Sequence, residues 1–213
     1  MAYPTVDRPY GLKPVNLIGG QVFAGSTRNM AITTSSVSYN TAIFYGDVVQ
    51  LDATNGTIII STLDTESSPV PGVVGVFLGC TYTNPSTKQK LFSQYWPGFA
   101  SGVTDAQAIV ADDPDTLFKV VSVGATADGS GLTPVFLGQT IIGANMTLVL
   151  NTGSTTTGDS KIGVTTQATA SASAAMRVVD VVPDTANSSG NFCELIVKFN
   201  FGYHSYYNAT GVA

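Results

Sequence analysis

Residues 192–203 read Phe-Cys-Glu-Leu-Ile-Val-Lys-Phe-Asn-Phe-Gly-Tyr, and they decide the fold class. Leu195, Val197, Phe199, Phe201 and Tyr203 fall on one face, with Lys198, Asn200 and His204 on the other. Alternation with a period of two is the signature of a half-buried strand, because successive side chains leave a strand in opposite directions. The pattern predicts a central strand with Phe199 and Phe201 in the core. Working back along the chain, the same chemistry recurs: Met176–Val182, Met146–Leu150, Thr116–Val123, Ala106–Ala111 and the apolar run Gly72–Tyr82 all read as strands. Thr41–Tyr45 and Val48–Leu51 are two more, separated by Gly46-Asp47. Asn55-Gly56 then leads into Thr57-Ile58-Ile59-Ile60, a strong short-range hairpin signal. The one helix cue is Thr133-Pro134, with Gly138 to end a turn or two. Short strands punctuated by Gly, Pro and Asn turns predict an all-β chain, a single β-sandwich or barrel-like domain with an extended N-terminal arm.

That arm is residues 1–25, and the body is 26–213. Pro4, Pro9 and Pro14 recur every five residues and favour an extended path over a helix. Residues 1–30 hold Arg8, Lys13 and Arg28 against Asp7, a net of +2, which leaves −7 for the remainder of a chain whose net charge is −5. An apolar, slightly basic arm on an acidic body is expected to lie on a partner through Tyr3, Pro4, Arg8, Pro9, Tyr10, Leu12, Lys13, Pro14 and Val15. The competing reading is an arm wrapped around its own domain.

Composition narrows the function classes. Only 11% of the 213 residues are charged, against about 25% in ordinary soluble domains. A surface so poor in charge is expected to be covered by partners. A pI near 4.5 with no basic run disfavours nucleic acid, and no apolar stretch approaches the roughly 20 residues that span a bilayer. The first ten residues lack the basic and apolar regions of a secretory signal, which points to intracellular synthesis. Cys80 and Cys193 belong to no metal or redox spacing, and their apolar neighbours predict buried free thiols.

Chemistry-bearing constellations are scarce. The one histidine, His204, sits among tyrosines on the polar face of the last strand, with no nucleophile elbow anywhere to serve. Asp112, Asp113 and Asp115 flank Pro114; they read as a turn, with a calcium site as the alternative, although the distal Glu of a calcium loop is missing. We therefore expect no catalytic residue, no metal and no cofactor. Two aromatic concentrations remain. Phe92, Tyr95, Trp96 and Phe99 lie in one Pro/Gly-bearing loop, and Tyr206 and Tyr207 close a second group with Phe199, Phe201 and Tyr203. Either could anchor an interface, and the first could equally plug an open end of the body.

The order of these features resembles a known family. Arg8-Pro9-Tyr10-Gly11-Leu12-Lys13-Pro14-Val15 precedes Ala42-Ile43-Phe44-Tyr45-Gly46-Asp47-Val48-Val49 and Val74-Gly75-Val76-Phe77-Leu78-Gly79. Asp112-Asp113-Pro114-Asp115-Thr116-Leu117-Phe118-Lys119-Val120 and a terminal Val197-Lys198-Phe199-Asn200 follow. Over most of its length the chain is similar to the small capsid decoration, or cement, proteins of tailed bacteriophages of marine bacteria and cyanobacteria. The resemblance implies a virion protein made in the host bacterial cytoplasm that sits on the outer capsid surface. Its implied partners are the major capsid protein and itself, a trimer favoured over a dimer, with no nucleic acid and no membrane. Other features leave a second class open: a virion-surface β-sandwich that binds glycans through the Phe92–Phe99 aromatics.

Overall fold

Strands form where β-branched and aromatic residues run between glycine and proline turns. The computed structural model describes residues 6, 8–34, 41–62, 72–98, 103–124, 138–165, 170, 172, 174–186, 192–209 and 211. Among them are thirteen strands and two 3-10 turns, and no α-helix. The strands are β1 (Lys13–Leu17), β2 (Arg28–Ala31), β3 (Val48–Leu51), β4 (Ile58–Ile60), β5 (Val73–Thr83), β6 (Lys90–Ser93), β7 (Gln107–Ala111), β8 (Thr116–Val123), β9 (Asn145–Met146), β10 (Leu148–Val149), β11 (Gly163–Thr165), β12 (Met176–Val181) and β13 (Glu194–Phe199). The all-β expectation holds. The helix cue at Thr133-Pro134 lies outside the described residues.

Two sheets result. The larger is mixed and runs β10-β11-β8-β13-β12-β9, with β1 added to β8. Its terminal strands β9 and β10 are separated in sequence only by Thr147, so the sheet curls nearly shut into a barrel-like wall. Met146–Leu150, read as one strand, is thereby split between the two ends of the sheet. The smaller sheet is antiparallel, β2-β7-β5-β3-β4, with β6 on β5. Its hairpin forms as the Asn-Gly signal requires: Asp52 accepts from the Gly56 amide at 2.8 Å, Gly56 has φ +64°, and β3 pairs with β4. Thr41–Tyr45 is not a strand; it makes single bridges from Ile43 to Trp96 and from Tyr45 to Asp159.

The unbroken apolar run of β5 has a simple cause. Val73 and Val76 turn toward the larger sheet and pack with Phe118, Leu195, Val197 and Phe199, while Val74 and Phe77 turn the other way and pack with Ile32, Ile43 and Trp96. A strand buried on both faces has no polar side to show. Gly75 is fixed by the same crowding, because a Cβ there would stand 2.0 Å from the Ala111 carbonyl oxygen. Both cysteines are buried free thiols, as their neighbours predict, and burial pushes the Cys80 thiol up to about 12.

The arm departs from expectation. Leu12 is fully buried in the main core, its amide donates to the Gly46 carbonyl at 3.0 Å, and β1 pairs antiparallel with β8. From Tyr10 to Leu17 the arm is thus part of its own body, and Leu12 is not on offer to a neighbour. The physical reason is close approach. At Gly11 (φ +78°) a Cβ would stand 2.6 Å from that of Ser160, so only glycine lets the arm cross here.

Beside this crossing Asp47 is 1% exposed and accepts from the Phe44 amide at 2.8 Å. Burial pushes its carboxyl up from 3.8 to about 6, against hydrogen bonds from Ser160 and Phe44 that pull it down. A folded-state pKa above the unfolded one means that the folded chain holds the extra proton. Its stabilising effect is complete below about pH 4 and is lost as the pH rises through about 6. At about 1.4 kcal/mol per unit the swing is about 3 kcal/mol. Asp47→Asn is therefore expected to flatten the fall in stability between pH 4 and 6. Parallel urea melts check this, and identical pH slopes for the two proteins would refute it.

Candidate partner-binding faces

The acidic turn after β7 organises the first face. The Thr116 amide donates to the Asp113 carbonyl at 3.1 Å and the Asp115 amide to Asp113 Oδ1 at 2.8 Å, so Asp113 is spent on the turn itself. Asp112 holds Arg28 Nε at 3.0 Å and accepts from the Tyr206 hydroxyl at 2.9 Å. Asp115 holds Lys198 Nζ at 2.6 Å and accepts from the Tyr207 hydroxyl at 3.1 Å, while its carbonyl accepts from the Ile18 amide at 2.9 Å. The lysine keeps the Asp115 carboxyl below the usual carboxylate range, and the same carboxylate raises Tyr207. Burial, then Asp112, raises Tyr206. These carboxylates tie the segment after β13 to the sheets. Among the described residues no group of three or more His, Cys, Asp or Glu is placed to hold a metal ion.

That segment does not continue the strand. Chain direction changes after Phe199: Gly202 takes φ +87°, and a 3-10 turn spans Ser205–Tyr207 with His204 Nδ1 accepting from the Tyr206 amide at 3.3 Å. Two expectations are corrected here. Phe201 is not a core residue; it is 79% exposed, because the turn at Gly202 swings it outward. His204 is not on a polar strand face; it is 1% exposed, bridges to Val73 and lies 5.9 Å from the Phe199 ring. Burial lowers its pKa below the ordinary value.

The outcome is an aromatic face on a braced scaffold. Phe201 stacks on Tyr207 with centroids 6.2 Å apart, Tyr206 stands 46% exposed beside Arg28, and Ile18 projects next to them. A groove of about 220 Å³ runs between Ile18, Val179, Phe201 and Tyr207, with Arg177 and Lys198 along it. Arg177 Nε donates to Asn145 Oδ1 at 2.9 Å, and Asn145 is buried, so the guanidinium is aimed, and among the described residues no carboxylate pairs with it within 4 Å. Sequence reasoning found Tyr206 and Tyr207 but missed Phe201, Ile18 and Arg177. The legible signal was Asn200-Phe201-Gly202, an asparagine and a glycine around an aromatic, which is turn chemistry.

A second face lies at the other end of β1, roughly 17 Å of strand away. Phe92, on β6, is 81% exposed and shares a shallow surface with Lys13, Tyr45, Leu78, Ile109, Gln94 and Asp159. Its loop companions go elsewhere. Trp96 is buried in the second core, edge-on to Tyr82 at 5.2 Å, and Tyr95 stacks on Phe44 at 5.5 Å. The loop is thus part plug and part exposed knob, and Phe99 lies outside the described residues.

Of the arm residues, Tyr3 and Pro4 also lie outside the described residues. Arg8 is exposed, Pro9 is buried and Pro14 is half-buried. Val15 is 37% exposed at a bulge in the β1–β8 ladder. Tyr10 donates to Glu194 Oε1 at 2.5 Å, Lys119 Nζ lies 3.0 Å from the same oxygen, and Lys13 caps the Tyr10 ring at 4.5 Å. Burial and that carboxylate raise the Tyr10 hydroxyl far above its ordinary value. Comparison with protein-family models, with curated proteins and with solved structures gives no match for this chain.

Proposed function

We propose that this chain is a structural, non-enzymatic virion protein that docks on the outer surface of an icosahedral capsid and clamps neighbouring major capsid protein subunits. The observation that carries this reading is the Phe201 face: an exposed aromatic stack with an oriented arginine, on a chain with 11% charged residues. Interface anchors are enriched in aromatics and Arg. Bracing matters as much as composition, since side chains already held in place lose little freedom on binding. The resemblance to phage decoration proteins supports the same reading. Cement action would come from several copies gripping one lattice, with avidity about 10²–10⁴ above a single contact.

The glycan-binding alternative has less to stand on. It needed Phe92–Phe99 as an open platform, and Trp96 is buried while Tyr95 stacks internally.

Expanded shells with and without the protein provide the test. Bound protein is expected to raise the temperature at which shells rupture and to stay on at moderate salt. Phe201→Ala is expected to weaken shell binding roughly 30-fold, the size of a hot-spot loss. Shells equally robust without the protein would sink the proposal, and so would full occupancy by the variant.

A further inference from the structure

We propose that the Phe92 face is the two-fold contact of a homodimer, in which the Phe92 side chains of two copies pack together and Lys13 of each copy meets the partner's Asp159. This goes beyond the shell-binding reading and does not depend on it. Three observations carry it. Phe92 is the most exposed large hydrophobic among the described residues, at 81%, and its surroundings are the half-buried side chains of Tyr45, Leu78 and Ile109. A knob of that kind on an apolar surface belongs in an interface.

Charge then selects the occupant. A two-fold contact brings the same surface together with itself, so the surface must complement itself. Lys13 and Asp159 flank Phe92 on one surface, and neither has an ion-pair partner within 4 Å among the described residues. Lys13 lies over the Tyr10 and Tyr45 rings, and Asp159 accepts from Gln94 Nε2 at 3.1 Å, so both are positioned. One base and one acid on the same face satisfy a two-fold, each copy answering the other. The Phe201 face cannot do this. Its carboxylates Asp112 and Asp115 are already engaged by Arg28 and Lys198, so among the residues lining its groove Arg177 finds no free acid to meet in a second copy.

Geometry selects face over edge. Among the described residues β6 pairs with β5 alone, which leaves its other side a candidate for strand addition. Lys88 and Lys90 stand exposed at that hairpin, and lysines on an edge oppose pairing with an identical edge. Packing through the Phe92 side chain avoids bringing these lysines together.

Sedimentation of the full chain in the absence of shells tests the proposal. A dimer of 22.1 kDa chains is expected at micromolar concentration. Phe92→Ala should weaken it roughly 30-fold. Lys13→Glu and Asp159→Lys should each weaken it, and the double variant should restore it, because swapping both charges preserves the match. Phe201→Ala should leave it unchanged. Melting curves establish that each variant is folded, and the charge swap keeps the test open if Phe92→Ala is not. A wild-type chain that stays monomeric, a trimer, a dimer indifferent to Phe92→Ala, or a double variant no better than the singles would each overturn it. So would a Phe92→Ala chain that loses shell occupancy while the wild type sediments as a monomer, since the face would then belong to the shell.

Discussion

Phe199→Ala is expected to lower the melting temperature by roughly 6–20 °C, while Phe201→Ala, two residues on, leaves it almost unmoved. Phe199 is 4% exposed, edge-on to Phe118 at 5.7 Å and to His204 at 5.9 Å. Emptying such a site costs about 3–5 kcal/mol, since the lost ring contacts add to the cavity left behind. For a domain of this size each kcal/mol shifts the midpoint by about 2–4 °C. Phe201, largely in solvent, has little to lose. Thermal unfolding of the two variants side by side decides it; equal shifts would mean that the chain does not turn after Phe199.

Removing residues 2–15 is expected to abolish cooperative unfolding rather than to leave a folded body without its arm. Leu12→Ala alone should cost about 2–5 kcal/mol, because the side chain fills the main core and has no exposure. The deletion also strips Val6 and Tyr10 from Val121, Val123 and Phe192, and takes the Tyr10 hydroxyl from a nearly buried Glu194. A hydrogen bond to a charged group is worth about 1.5–3 kcal/mol. Together these losses approach the roughly 5–15 kcal/mol by which a domain is stable. Near-ultraviolet circular dichroism of the truncated chain checks the claim. A native spectrum and a melting point within a few degrees of the full chain would return the arm to the status of an appendage.

The strands were legible where local patterning and burial agree. Thr116–Val123 and the Asn55-Gly56 hairpin could be read directly, because alternation and turn chemistry are local properties. The run in β5 announced a buried strand but not that its two faces serve two cores. Leu12 was beyond reach for a different reason: an apolar residue between prolines looks alike whether it meets its own core or a neighbour's. Only the pairing of β1 with β8, and the glycine crossing at Gly11, separate the two. At the aromatic face the turn residues are visible, yet the period-two alternation runs on past Phe199 in the sequence and predicts Phe201 inside, where the chain has already turned at Gly202. Arg177 carried no signal, since its distinction is the buried asparagine that aims it.

β8 holds both outer sections of the sequence at once, Lys13 facing Lys119 on one side while Val197 faces Phe118 on the other. Contacts that span so much chain slow folding, because loop-closure entropy is lost before the pairing is gained. As a ribosome extends a chain at about 5–20 residues per second, Leu12 emerges long before the strand that will shelter it. It must wait again until Glu194–Phe199 arrive to close β8 from the far side. Assembly of the larger sheet is therefore a late event in synthesis, and the apolar segment around Leu12 stays unsheltered until β8 has been made.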